Sequence, residues 1–370
     1  MDFLLIASFP ESIVSFRGAL IRAIVARGNS VGVAAPGLHA NSPERRAVES
    51  LGAVALDIPL QRTNVNPFRD LFLTWYLFRL LRSHRPLHVL GYTVKPVVYG
   101  SIASWIARVP NRFSLITGLG FALTEARSGL VASVVRWLYR LALRHVHKVF
   151  FQNRDDEALF RETGLLPGDT PSVVVNGSGI DLAEFKAQPT STASIRFLMI
   201  ARLLGDKGVR EYVDAAKRLR GEFPDADFQL AGWIDSNPDC ILESELAEWI
   251  DSGAITFLGR LDDVRESLAG CSVYVLPSYR EGTPRTVLEA MSTGRAIITT
   301  EVPGCRETVI DGENGFLVEA KSVDSLVDAM RRFLKSPELA KTMGVESRKI
   351  AEAKYDVRNV NAIMMDEMGL

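Results

Sequence analysis

The chain has 370 residues, a hydrophobic fraction of 47%, a charged fraction of 24% and a formal net charge of -1. This is an ordinary globular composition, and the length is comfortable for two hydrophobic cores. No apolar run is long enough to span a bilayer, and Cys240, Cys271 and Cys305 show neither disulfide nor zinc spacing, which argues against a membrane-spanning protein, a disulfide scaffold and a zinc site.

The N-terminal MDFLLIASFPES lacks a basic segment and reads as a first strand rather than a signal peptide. In chain order, strand-length apolar runs follow: FLLIA (3–7), SVGVAA (30–35), VAL (54–56), HVLGY (88–92), RFSLI (112–116), KVFFQ (148–152) and SVVV (172–175). Longer amphipathic stretches separate them. Runs buried on both faces, alternating with helices, predict parallel sheets of an α/β fold. KAQPTSTAS (186–194) breaks the pattern and reads as a linker. The pattern restarts with RFLMIAR (196–202), DFQLAG (227–232), ITFLG (255–259), VYVLPS (273–278), AIITT (296–300) and GFLV (315–318). Two Rossmann-like domains are expected, 1–186 and 187–354, their strands' carboxyl ends facing a common cleft where ligands bind. The final segment 355–370 is expected to be helical and to return to the first domain.

The most informative segment is YREGTPRTVLEAMSTGRAIIT (279–299), which follows an apolar strand. Thr283 reads as a helix N-cap and Pro284 as the first helical residue. The N–H groups of Arg285 and Thr286 then form an anion site suited to a diphosphate, reached through the loop at Gly282. Glu281 lies before this helix and Glu289 inside it. A carboxylate accepts two hydroxyl hydrogen bonds at once, which suits the vicinal diols of a ribose or a hexose. ARLLGDKG (201–208) sets Arg202 and Lys207 at another strand end, two cations able to stabilise a leaving diphosphate. FLGRLDDV (257–264) offers the backbone of Arg260 and Leu261 to a nucleobase. In VPGCRETVIDGENGFLV (302–318), Glu307 is a candidate for the sugar pocket and Asn314–Gly315 reads as a hairpin-like turn.

Charge is unevenly distributed. Residues 1–170 hold 20 Lys+Arg against 12 Asp+Glu, a balance of +8, whereas residues 171–370 come to -9. The basic half contains two membrane-contact candidates, 67–86 and 129–150, the second with Arg136, Arg140 and Arg144 at helical spacing near Trp137 and Tyr139. A core-facing helix with a solvated arginine stripe is the alternative for both. No groove-reading or single-strand-binding motif points to nucleic acid.

ARLLGDKG, EGTPRTVLEAMSTG, PGCRETVIDGENGFLV and VVNGSGIDLAEF (174–185) together resemble glycosyltransferase family 4, over nearly the whole length. The resemblance implies a GT-B fold and retaining transfer from a nucleotide sugar without an essential metal or other cofactor. It implies that Glu289 holds the ribose, Glu281 contacts the donor sugar, and Arg202 and Lys207 bind the diphosphate. YTVKPVVYGSIASWIARVP (92–110) and ITGLGFALTE (116–125) resemble a bacterial subgroup that extends polyprenyl-diphosphate-linked sugars, capsule and O-antigen transferases included. That likeness implies a UDP-linked hexose or N-acetylhexosamine donor, GalNAc or GlcNAc foremost, and action at the cytoplasmic face of the inner membrane. It puts Thr93, Lys95, Thr117, Gly118 and Gly120 on the acceptor side, with Arg17 and Asn176. Two departures stand out. Thr117 occupies a position where many relatives carry histidine, and SFPESIVSFRG (8–18) replaces a glycine-rich first loop. A nucleotide-sugar epimerase or hydrolase, or a non-catalytic binding subunit, are the competing readings.

Overall fold

The structure, a computed structural model, describes residues 1–61, 66–118, 130–235, 237 and 239–370. The chain divides into two compact units, Met1–Ser178 with Arg358–Leu370, and Gly179–Val357.

In the first unit, strands and helices alternate: β1 (Phe3–Ile6), α1 (Glu11–Ala26), β2 (Val31–Ala35), α2 (Pro43–Glu49), β3 (Val54–Asp57), α3 (Pro67–His84), β4 (His88–Tyr92), α4 (Ser101–Ile106), β5 (Asn111–Ile116), α5 (Leu130–Arg144), β6 (Lys148–Phe151), α6 (Arg154–Glu162) and β7 (Ser172–Val174). Among the described residues they form a parallel seven-stranded sheet in the order β3-β2-β1-β4-β5-β6-β7. Alternation along β1 sends Phe3 and Leu5 to one core, beneath α1, and Leu4 and Ile6 to the other, beneath α3. Asn66 caps α3, accepting from the N–H groups of Phe68 (3.1 Å) and Arg69 (3.3 Å), a contribution of about 1 kcal/mol.

The second unit runs β8 (Arg196–Arg202), α7 (Val209–Glu222), β9 (Asp227–Trp233), α8 (Glu243–Asp251), β10 (Thr256–Phe257), α9 (Arg265–Gly270), β11 (Val273–Leu276), α10 (Arg285–Thr293), β12 (Ala296–Thr300), β13 (Gly315–Val318), α11 (Val323–Lys335) and α12 (Glu338–Lys354). Its parallel sheet has the order β10-β9-β8-β11-β12-β13. Both sheets reverse direction beside their first strand, at β1/β4 and at β8/β11. In α/β sheets this switch point opens a crevice at the carboxyl ends. Each of the thirteen apolar runs read from the sequence coincides with a strand.

The last helix, α13 (Val357–Met368), buries Val360, Met364, Met365 and Met368 in the core beneath α1. Lys148 pairs with Glu367, and Arg27 with Asp366.

The chain changes unit at Ser178–Gly179, ahead of the expected 186. The segment 186–194 is no free linker. The buried Arg295 guanidinium donates to the carbonyls of Gln188, Pro189 and Cys271, and Gln188 N–H donates to Thr293 O (3.0 Å). Composition misled there because Pro, Ser and Thr leave backbone carbonyls exposed, and a distant arginine collects them. The chain returns at Val357–Arg358. The two crossings lie side by side in the second unit: Ile180 N–H donates to Tyr355 O (2.7 Å), and Val357 N–H to Ile180 O (3.0 Å).

Asn314–Gly315 forms no hairpin. Gly315 opens β13, which runs parallel to β12. Asn314 is fully buried, accepting from Ile310 N–H (2.8 Å) and donating to Thr308 O (3.1 Å).

Candidate active site

In the second unit, the loops after β8 and β11 meet at the switch point. β8 ends at Arg202 and leads through a 3-10 turn, Gly205–Lys207, into α7. β11 leads through Pro277–Pro284 into α10. Tyr279 N–H donates to Asp206 O (2.9 Å), joining the two loops. Gly208 sits at φ +71, and a side chain there would run into the Pro277 carbonyl. Gly304, at φ +83, lets the loop after β12 pass directly under the Glu281 carbonyl in the same way.

These close approaches set Lys207 against Glu281. The Lys207 Nζ donates to Glu281 Oε1 at 2.6 Å, and Ser278 Oγ donates to the same oxygen at 2.8 Å. Both charged side chains are largely buried. Burial works against the Lys207 charge, yet Glu281 and Asp206 outweigh it and hold the ammonium above the ordinary lysine range. Burial raises the Asp206 carboxyl despite the neighbouring Lys207. Arg202 is turned toward Asp235, its Nη1 2.8 Å from Oδ2.

The helix after this loop starts one residue later than expected. Pro284 has an extended ψ of 111° and is itself the N-cap, so Thr283 lies outside the helix and Pro284 is not its first residue. Val287 N–H closes onto Pro284 O (3.1 Å). The N–H groups of Arg285 and Thr286 precede that bond and belong to the turn whose donors point out of a helix end. Glu289 is on the buried face of α10, its Oε1 accepting from Arg285 Nε at 2.8 Å. Burial raises its carboxyl pKa, against the pull of Arg285. Arg260, beyond the end of β10, lies over the ring of Trp233, the last residue of β9, at 5.0 Å. Leu261 packs its side chain against the unit's core. Glu307 uses its main-chain oxygen, accepting from Lys354 Nζ (2.7 Å) and Tyr355 OH (2.6 Å).

In the first unit, the residues read as acceptor-side also collect at strand ends. Thr93 follows β4 at the switch point and holds φ +71, a strained conformation for a β-branched residue, costing about 1–3 kcal/mol. Its hydroxyl shares a 2.6 Å hydrogen bond with Ser8, just beyond β1. Lys95 is paired with Asp70 at 2.6 Å, and Tyr99 OH donates to the other Asp70 oxygen at 3.0 Å. Thr117 and Gly118 follow β5, and Asn176 follows β7. Arg17 is fully buried in α1, 5.4 Å above the Tyr92 ring at the end of β4. Gly120 lies outside the described residues.

Two family models match the chain: "Glycosyl transferase 4-like domain" over residues 14–177 and "Glycosyl transferases group 1" over residues 182–350. Campylobacter jejuni N,N'-diacetylbacillosaminyl-diphospho-undecaprenol alpha-1,3-N-acetylgalactosaminyltransferase is 30% identical over 343 residues, covering 89% of this chain and 88% of the relative. The chain belongs to glycosyltransferase family 4. An Escherichia coli member, UDP-Gal:alpha-D-GlcNAc-diphosphoundecaprenol alpha-1,3-galactosyltransferase, is 27% identical, covering 75% of this chain and 74% of that one. Anabaena HepE in complex with UDP superposes at a TM-score of 0.79 with 18% identity over the full length of both chains. This family 4 glycosyltransferase therefore has the GT-B fold.

Sequence reasoning missed several groups in this glycosyltransferase. Asp235, Ser278 and Trp233 touch the candidate donor residues but stand outside the segments quoted for them. Ser278 lies three residues before Glu281, the right distance to reach back across a tight turn, and that spacing was the available signal. In the first unit, Ser8, bonded to Thr93, and Tyr92, bonded to Ser12, gave none, because each partner lies 80 residues or more away in the chain.

Proposed function

We propose that this glycosyltransferase moves an N-acetylhexosamine, GalNAc or GlcNAc, from its UDP-sugar onto a polyprenyl-diphosphate-linked sugar, with retention. The observation that carries the reading is the Lys207–Glu281 pair, held by Ser278 across the β8/β11 switch point and followed directly by the α10 N-terminus. An ammonium and a carboxylate fixed side by side suit a ligand with an anionic diphosphate next to a hydroxyl-rich sugar. Both relatives named above act, by their names, on undecaprenol-linked sugars, and the second uses UDP-galactose.

In the proposed reaction, Lys207, Arg202 and the α10 N–H groups take up the negative charge that develops on the departing diphosphate. The bond from the anomeric carbon to the diphosphate oxygen breaks as the acceptor hydroxyl attacks from the same face. The hydroxyl proton passes to the leaving diphosphate oxygen, so no protein nucleophile is used. Glu289 holds the ribose and Glu281 a donor-sugar hydroxyl. These fixed cations make a metal unnecessary. No helix among the described residues is long and apolar enough to cross a membrane, and a lipid-linked acceptor puts the enzyme peripherally on the cytoplasmic face of the inner membrane.

The test is a panel of UDP- and GDP-sugars against a short polyprenyl-diphospho-sugar acceptor, with products identified by mass and anomeric configuration by NMR, with and without EDTA. An α-linked UDP-derived product, unaffected by EDTA, is expected. Sugar release without acceptor would favour a hydrolase instead.

A further inference from the structure

We infer that the outer surface of α3, α4 and α5 is a docking face for an anionic lipid bilayer, with α3 as its principal contact. The inference deepens the lipid-linked acceptor reading by naming the surface that meets the membrane. It begins with a helix that is apolar on two opposite sides. Leu73, Leu77 and Leu81 point into the core of the first unit. Phe68, Leu71, Phe72 and Trp75, spaced i, i+3, i+4, i+7, point the other way and are 85%, 69%, 51% and 49% exposed. A helix that had only to cover a sheet would carry polar residues there. Arg79 and Arg82 continue the same outward side toward the C-terminus, and Arg79 lies over the Trp75 ring at 5.3 Å. Aromatics followed by arginines along one side match an interfacial helix, with its apolar part in the acyl boundary and its cations among the headgroups.

The neighbouring helices extend the surface. Trp105 and Ile106 of α4 are exposed, and Trp105 stacks on His145, just past α5, at 3.9 Å. Trp137 of α5 is 59% exposed. Arg140, expected in a stripe with Arg136 and Arg144, instead donates to the carbonyls of Gly164 (2.9 Å) and Thr163 (3.0 Å). The three helices together carry six arginines and one acid, Asp70, which is buried against Lys95. The helices on the opposite side of the sheet, α1, α2 and α13, are balanced, with five acids and five arginines.

This polarity selects the occupant. A second copy of the chain would set arginine against arginine. An anionic bilayer complements the face, with each arginine near its surface worth roughly a fivefold gain in partitioning.

The experiment is co-sedimentation of the full chain with phosphatidylcholine vesicles, with and without phosphatidylglycerol, at low and high salt. The wild type is compared with Phe72→Ser/Trp75→Ser, Arg79→Glu/Arg82→Glu, and the charge-matched control Lys217→Glu/Arg218→Glu on α7. Thermal unfolding midpoints confirm folding. Turnover on a short, water-soluble acceptor is read separately, so failure of the proposed chemistry is distinguished from failure of docking. Salt-sensitive binding to the anionic vesicles is expected, lost at least tenfold in both α3 pairs and kept by the control, with soluble-acceptor turnover unchanged. The inference is overturned if the wild type stays in the supernatant at low salt, or if the α3 pairs bind as it does. Equal loss in the control overturns it, as does a dimer in sedimentation velocity that Phe72→Ser/Trp75→Ser dissolves.

Discussion

Lys207 is charged because of its neighbours and in spite of its burial, so its ammonium is set in place before any ligand arrives. Preorganised charge of this kind contributes most where charge develops in the transition state. Lys207→Ala is expected to lower kcat about 10²- to 10³-fold in a variant that still folds, with a lowered unfolding midpoint because the buried Glu281 loses its cation. Near-wild-type turnover in the folded variant would refute the assignment. Glu289 shows the opposite balance. Its folded-state pKa is raised by burial, so the ionised form costs stability. That cost is absent below the unfolded carboxyl range and reaches its full size once pH exceeds the raised folded value. Glu289→Gln should therefore gain in Tm relative to the wild type as pH rises from mildly acidic to neutral, while its donor KM increases. A Tm difference that is flat with pH would contradict the burial argument. The glutamates and the lysine were legible because strand–loop–helix punctuation surrounds them. The partners of other candidate residues, Asp235 for Arg202 and Ser8 for Thr93, were not, because side-chain partners across parallel strands leave no local pattern in the sequence.

The two loops at β8/β11 depend on backbone contact that only glycine permits. Gly304→Ala is expected to cost about 1–2 kcal/mol or more in stability, and to raise donor KM by pushing the Glu281 loop outward. Urea unfolding and donor titration measure the two effects, and an unaltered KM would show that the loop shifts without moving the carboxylate. All the strands among the described residues were legible as apolar runs, since strands of a parallel sheet are buried on both faces. Details at element ends were less so. The extended ψ of Pro284 shifted the start of α10 by one residue, and Asn314 spent its amide on buried carbonyls instead of a hairpin. The supposed linker at 186–194 failed for a related reason, the buried Arg295 that claims its carbonyls.

At the level of the molecule, the basic and acidic halves of the sequence correspond to different requirements. The acidic half contains the candidate donor site, where a few buried cations act at close range. In the first unit, α3, α4 and α5 carry six arginines against one acid, whereas α1, α2 and α13 carry five of each. Periodicity alone did not separate these helices from ordinary core-facing ones. The opposed apolar sides of α3 emerge only when the sheet beneath it shows which side is already used.

The paired crossings at Ile180 and Val357 have a consequence for the architecture. The second unit is one uninterrupted stretch whose two ends emerge together, so topologically it is a cassette inserted into a host. The host needs its own tail, because α13 fills the core beneath α1. A gene joining residue 178 to residue 358 through a short Gly/Ser bridge should yield a folded host with cooperative unfolding. A gene stopping at residue 178 should yield an aggregating one, which calorimetry and gel filtration distinguish. Exchanging cassettes between relatives at these two joints would recombine donor and acceptor preferences without cutting through either core.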